Sequence, residues 1–197
     1  AESDKRGYTQ ELLESEPIEA LKREIIAGEA RDGYESYNRG TAGDSPGAHD
    51  PPLTSMTLGE IMRHQARPRG ANNRLFAVGI YQFIPDTLRE AVAYTDGVTT
   101  DSVFNAETQE KLFEYLISGR KRPNLHAYLT SRSDNLYAAQ VDLAREFASI
   151  PKPDGRGVYD GDTAGNRAMG GREKAARIGD ILRRIRGQRS RESSFTV

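Results

Sequence analysis

The chain is expected to be mainly helical, of the α+β class, with a small extended and loop-rich region beside the helices. Three observations carry that expectation. Apolar residues recur at helical spacing in most of the chain, as in Ile18, Leu21, Ile25 and Ile26. Helix-opening residues precede these runs, with Gly, Pro, Asn and Asp between them. Residues 33–56 and 75–82 lack the helical period and are where short strands are expected.

Residues 1–14 are polar and acidic and read as an N-terminal arm or a short helix. Ser15-Glu16-Pro17 opens the first long helix: Ser caps, Glu complements the dipole, and Pro is tolerated in the first turn. That helix runs out at Gly28-Glu29-Ala30. From Asp32 to Pro52 the composition turns to Gly, Asn, Asp, Pro and Tyr, and a loop of that length in a compact domain is usually functional. Thr57-Leu58-Gly59-Glu60 has the capping-box pattern, with Met56 and Ile61 at staple positions, so a helix is expected from about Leu58 to Gln65.

Phe76 to Leu88 is the least polar stretch and is read as the floor of a binding cleft. It carries Gly79, then Tyr81 and Gln82, then Pro85-Asp86-Thr87, with Asp86 assigned to capping the next helix. Asn105 caps a further helix ended by Gly119, residues 124–130 form a short one, and Ser133 or Asp134 caps a longer one. A second Gly/Asp/Asn-rich loop, 155–167, holds Tyr159 and Asn166, and a last helix is expected over about 169–186. The domain organisation is read as an arm over 1–14, a single domain over 15–168, and a basic helix and tail over 169–197.

Composition narrows the functions. The 197 residues carry a net charge of −1, so no whole-molecule field selects nucleic acid. The absence of cysteine excludes disulfides and thiolate metal sites. The three histidines, His49, His64 and His126, are far apart in sequence and lack metal-ligand spacing, so no metal or organic cofactor is expected. No apolar run approaches the roughly 20 residues that span a bilayer. No apolar leader stands at the start, and Ala1 in place of Met fits either a processed start or one set by recombinant expression.

Glu29 is the leading chemical candidate. A carboxyl at a helix C-terminus meets the negative end of the dipole, and apolar neighbours remove water. Both effects raise its pKa and suit it to general-acid work. The competing reading is a solvated helix-end glutamate. Gly28-Glu29-Ala30, the loop Tyr34-Glu35-Ser36-Tyr37-Asn38-Arg39-Gly40, and Ala77-Val78-Gly79-Ile80-Tyr81-Gln82-Phe83-Ile84-Pro85-Asp86-Thr87-Leu88 come one after another in order. This series resembles the lysozyme superfamily, in particular phage-type muramidases and soluble lytic transglycosylases. The likeness extends through Leu53–Met62, Phe104–Leu112 and Tyr159–Ala168, about residues 18–168 in all. Ala30 departs from the serine that transglycosylases usually carry after the glutamate.

The resemblance implies a lysozyme-like fold and a peptidoglycan glycosidase, an endolysin or virion-associated lysin encoded by a phage and acting in the bacterial periplasm at the cell wall. Glu29 would be its general acid, acting alone in a transglycosylase. A muramidase hydrolase needs a second carboxylate, for which Asp32, Glu35, Asp44 and Asp50 are candidates, and Glu35 also rivals Glu29 as the acid. Gly79 and Gln82 would contact the sugar, with Tyr37, Asn38, Tyr81 and Tyr159 as further glycan-binding candidates, against the plainer reading of core tyrosines and loop-pinning asparagines. Asn166 is read as pinning its loop. The arginines from Arg172 to Arg191 read first as the solvated face of a docked helix, and second as a contact for anionic wall or membrane polymers. A non-catalytic peptidoglycan-binding virion or tail protein is the reading from another class.

Overall fold

The computed structural model describes residues 7–44, 46–162 and 166–194. Among these it is all-helical. Eight α-helices occur in order: α1 Gln10–Leu13, α2 Glu16–Glu29, α3 Leu58–Gln65, α4 Pro85–Tyr94, α5 Ala106–Leu116, α6 Pro123–Leu129, α7 Leu136–Glu146 and α8 Gly171–Ser194. The strands expected over 33–56 and 75–82 do not form among the described residues. Two 3-10 turns, Gly33–Glu35 and Leu53–Ser55, stand in the first region. Isolated antiparallel bridges, Tyr37 with Val78 and Val78 with Phe83, stand for the second. The physical reason is that the chain reverses at once on either side of these pairs, so no ladder lengthens.

The chain divides into two compact units, one of segments 1–28 and 116–197, the other of Glu29–Tyr115. In the first, Tyr8, Leu12, Ile18, Leu21 and Ile25 are buried, and so is the α8 stripe of Ala175, Ile178, Ile181, Leu182 and Ile185. Helix α8 packs against α1, α6 and α7, and α6 packs against α7. The short helix foreseen near the start forms as α1, capped by Thr9 whose Oγ1 accepts from Leu12 N–H at 3.0 Å. The Tyr8 hydroxyl donates to the Ile117 carbonyl at 2.6 Å. Asp142, nearly inaccessible, accepts from the backbone N–H of Asn124 (2.8 Å) and Leu125 (3.1 Å), so a side chain of α7 satisfies donors at the start of α6.

Several helix ends differ from expectation. Helix α4 has Ile84 at its N-cap with no side-chain cap, and Asp86 lies inside its first turn, paired with Arg89 at 2.6 Å. Its carboxylate therefore complements the helix dipole without capping. Asn135, and neither Ser133 nor Asp134, caps α7, because it is Asn135 Oδ1 that reaches Ala138 N–H at 3.0 Å. Ser133 instead supports the entry, accepting from Asn135 N–H at 3.1 Å. Helix α5 ends at Leu116, short of Gly119. Helix α8 continues to Ser194, because its exposed arginines and other good helix formers carry it beyond the last apolar residue. The expected capping box on α3 is present: Glu60 N–H donates to Thr57 Oγ1 at 3.2 Å and Thr57 N–H to Glu60 Oε2 at 3.0 Å. Asn105 caps α5 through Thr108 N–H at 3.0 Å.

Candidate functional site

The second unit starts at Glu29, the last residue of α2. The side chain of Glu29, and with it the expected rise of its pKa, lies outside the described residues. The chain then enters the 3-10 turn Gly33–Glu35, held by Asp32 N–H donating to Ser36 Oγ at 2.9 Å. Directly after this turn, the two stretches singled out in the sequence join. Phe76 N–H donates to Asn38 O (2.9 Å), Asn38 N–H to Ala77 O (3.1 Å), and Gly79 N–H to Ser36 O (2.7 Å). Val78 bridges Tyr37 on one side and Phe83 on the other. Residues 36–38 and 76–83 therefore form one hydrogen-bonded knot.

Gly79 and Gln82 close the knot as a tight turn. Gln82 N–H and Nε2 both donate to the Gly79 carbonyl, at 3.2 and 2.8 Å. Gly79 has φ +79°, and a Cβ there would stand 2.4 Å from Gln109 Oε1 and 2.7 Å from Phe104 Cζ. Only glycine fits both the backbone and the space. Gln82, at φ +52°, holds the left-handed conformation with a full side chain, a strained state of the kind that collects at functional sites. With its amide nitrogen bound to Gly79, its amide oxygen is the group left for a ligand donor.

Two glutamines that sequence reasoning did not single out fasten this knot to the helices. Gln109, fully buried on α5, accepts from Ile80 N–H (2.8 Å) and donates to the carbonyls of Tyr34 and Phe104 (both 3.0 Å). Gln65, at the end of α3, donates to the carbonyls of Phe76 (2.8 Å) and Phe83 (3.2 Å). The available signal was position: Gln109 shares a helical stripe with Leu112, Phe113 and Leu116, and Gln65 shares one with Leu58 and Ile61. A polar side chain on an apolar stripe has to satisfy buried backbone groups.

The candidate carboxylates separate clearly. Asp44 accepts from Arg39 through the backbone N–H (2.9 Å), Nε (3.1 Å) and Nη2 (2.6 Å), with its side chain 8% exposed. The Arg39 guanidinium holds the Asp44 carboxyl below its ordinary value. Asp44 is thus an ionised brace for its loop. Glu35 accepts the Thr54 N–H at 3.3 Å and links the two 3-10 turns. Asp32 and Asp50 are exposed.

Of the aromatic candidates, Tyr37 is half-buried, its hydroxyl donating to the Gly47 carbonyl at 2.8 Å, and its pKa is raised chiefly by burial. Asn38 Oδ1 accepts from Gly40 N–H at 3.0 Å, so its side chain shapes the turn. Tyr81 is buried, its ring 4.9 Å from that of Phe113 and its hydroxyl donating to Glu110 at 2.8 and 3.0 Å. Tyr34 donates to the same carboxylate at 3.2 Å. Glu110 therefore gathers two tyrosines beside the knot, a role not apparent from its sequence position.

Tyr159 belongs to the first unit, its hydroxyl donating to the Arg145 carbonyl at 2.7 Å. Asn166 pins its loop as read, donating from N–H and Nδ2 to the Asp162 carboxylate, both at 2.9 Å. The arginines of α8 make contacts within the same unit: Arg177 with Glu24 (3.0 Å), Arg186 with Asp134 (2.5 Å) and over the Tyr128 ring (5.0 Å), and Arg189 with the Gly7 and Thr130 carbonyls (3.0 and 3.1 Å). Among the described residues, no helix is long and apolar enough to cross a membrane, and no group of three or more His, Cys, Asp or Glu is placed to hold a metal. In comparisons with known proteins, no family model, curated protein or solved structure matches the chain.

Proposed function

We propose that this protein is a lysozyme-like glycosidase that cleaves the β-1,4 bond between N-acetylmuramic acid and N-acetylglucosamine in bacterial peptidoglycan. The single observation that supports it is the knot between residues 36–38 and 76–83, in the unit that Glu29 opens. Two of the stretches carrying the resemblance to muramidases and lytic transglycosylases, Tyr34–Gly40 and Ala77–Leu88, are thereby hydrogen-bonded partners, although the sequence separates them widely.

In this reading Glu29 gives its proton to the glycosidic oxygen as the C1–O bond breaks. The same carboxylate, now a base, takes the proton of the muramic C6 hydroxyl as that oxygen closes on C1. The product is a 1,6-anhydro end, and no water is consumed. Gly79, buried and with its N–H and carbonyl both used within the knot, shapes the turn that presents Gln82, whose amide oxygen accepts from the sugar. The single-carboxylate route is favoured over a hydrolase because the loop carboxylate Asp44, its side chain 8% exposed, is committed to Arg39. If a hydrolase operates, Glu35 is the second carboxylate, since it lies on the 3-10 turn leading into the knot. The enzyme would act at the periplasmic cell wall as a phage endolysin or virion-associated lysin.

Turbidity loss of outer-membrane-permeabilised bacteria tests the reading. The native protein is expected to lyse them, and Glu29→Gln to lose at least about a hundredfold in rate. Equal lysis by both would remove Glu29 from the chemistry, and lysis by neither would favour a peptidoglycan-binding virion protein. Mass spectrometry of the released muropeptides separates the routes: ends lighter by one water mark the anhydro ring, and reducing ends mark hydrolysis.

A further inference from the structure

The sequence places His49 and His64 far from each other, but in the second unit the loop after Asp44 sets His49 against helix α3. The two ring centroids are 6.0 Å apart, with planes at 74°. His49 Nδ1 lies 2.7 Å from the Pro51 carbonyl oxygen and His64 Nδ1 lies 2.8 Å from the Glu60 carbonyl oxygen. A carbonyl can only accept, so each Nδ1 carries a proton and donates it. In the neutral ring the lone pair is then on Nε2. Histidines that ligate metals are prepared in this way, one ring N–H given to a carbonyl so that the other nitrogen is fixed as the ligand. Both rings are half-buried and accessible to solvent.

The spacing agrees with a shared ion. A metal–nitrogen bond of about 2.1 Å puts each imidazole centre roughly 3.2 Å from the ion, so two rings on one ion have centres about 5.2 Å apart at the tetrahedral angle and up to about 6.4 Å when opposed. The observed 6.0 Å lies between these two limits and corresponds to a nitrogen–metal–nitrogen angle of about 140°. With two neutral nitrogens as its donors, the site suits first-row transition ions in the Irving–Williams order, Cu²⁺ above Zn²⁺, and not Mg²⁺ or Ca²⁺, which take oxygen. Water would complete the coordination.

We propose that His49 and His64 form a two-imidazole site for a divalent transition-metal ion. The bound ion clasps the loop to α3. It thereby stiffens the segment behind Tyr37, whose ring lies edge-on to His49 at 5.3 Å and whose hydroxyl is bound to Gly47. This inference stands independently of the proposed glycosidase activity.

The test titrates the full-length native protein with Cu²⁺ and tracks it by calorimetry and electron paramagnetic resonance. One saturable site with two nitrogen ligands is expected. His49→Gln and His64→Gln should each weaken it at least tenfold, and the double variant should lose it, with circular dichroism checking that each is folded. On the native protein alone, Zn²⁺ should move the Nε2 resonances of His49 and His64 together in a nitrogen-15 correlation spectrum. His126, buried at 2% exposure, should stay fixed and serves as the internal reference. A one-nitrogen signal, uptake unchanged in the double variant, or no saturable uptake by the native protein would each overturn the proposal.

Discussion

At the residue scale, Gly79 is the most constrained position of the knot. An alanine there meets the left-handed φ, at about 1–2 kcal/mol, and displaces Gln109, whose amide is held at three points. Leaving part of that buried network unsatisfied adds about 1–3 kcal/mol. Gly79→Ala is therefore expected to lower stability by about 2–5 kcal/mol in urea unfolding, with a matching fall in melting temperature. Asp44 gives a pH signature. Its pKa is below the ordinary value in the folded protein, so the stability it contributes is present above the unfolded value, about 3.9, and is lost as pH falls through the folded value. Asp44→Asn should melt a few degrees below the native protein at pH 7. The gap should close as the pH is lowered below about 4. A gap that stays constant well below that pH would mean the Arg39 pairing adds nothing to stability.

At the element scale, α3 carries both the capping box and Gln65. A helix of eight residues is too short to be stable alone, so its first turn and its packing have to cooperate. Thr57→Ala removes the acceptor for Glu60 N–H and is expected to cost about 0.5–2 kcal/mol in denaturant titration. Thr57→Ser, which keeps the oxygen, should recover most of that. Both glutamine anchors sit on helices whose starts were legible: the cap at Thr57 and the cap at Asn105 stand where the sequence placed them. What those helices hold was not legible, because a glutamine on an apolar stripe announces a buried partner without naming it.

At the scale of the whole molecule, the first unit brings together chain from both ends. Residues 7–28 and helix α8 share it, and Arg189 reaches back to the Gly7 carbonyl. The basic segment at the end of the chain is thus a structural part of its unit, with its apolar stripe buried and several of its arginines contacting neighbouring elements. Deleting residues 171–197 is expected to expose the cores of α1, α6 and α7 and to abolish the cooperative thermal transition of that unit by circular dichroism, with binding of a hydrophobic dye. If the shortened protein melts as sharply as the native one, α8 is an appendage and not part of the core.

The sequence by itself determined the helical class, the approximate place of α2 to α8, and the capping signals at Thr57 and Asn105. These rest on interactions within a few residues, where spacing and side-chain type are enough. It also marked Gly79 and Gln82, since a glycine and an amide inside an apolar run already imply a special backbone. Tertiary structure alone decided the rest. The expected strands became isolated bridges, because a ladder needs a partner of matching length and the chain turns away on either side of Val78. Asp44 became a brace because Arg39 lies across its turn, and the remote His49 and His64 became neighbours because a loop returned to a helix. Each of these depends on which distant segments meet, and that is set by the burial of the whole apolar surface at once, beyond the reach of any local pattern.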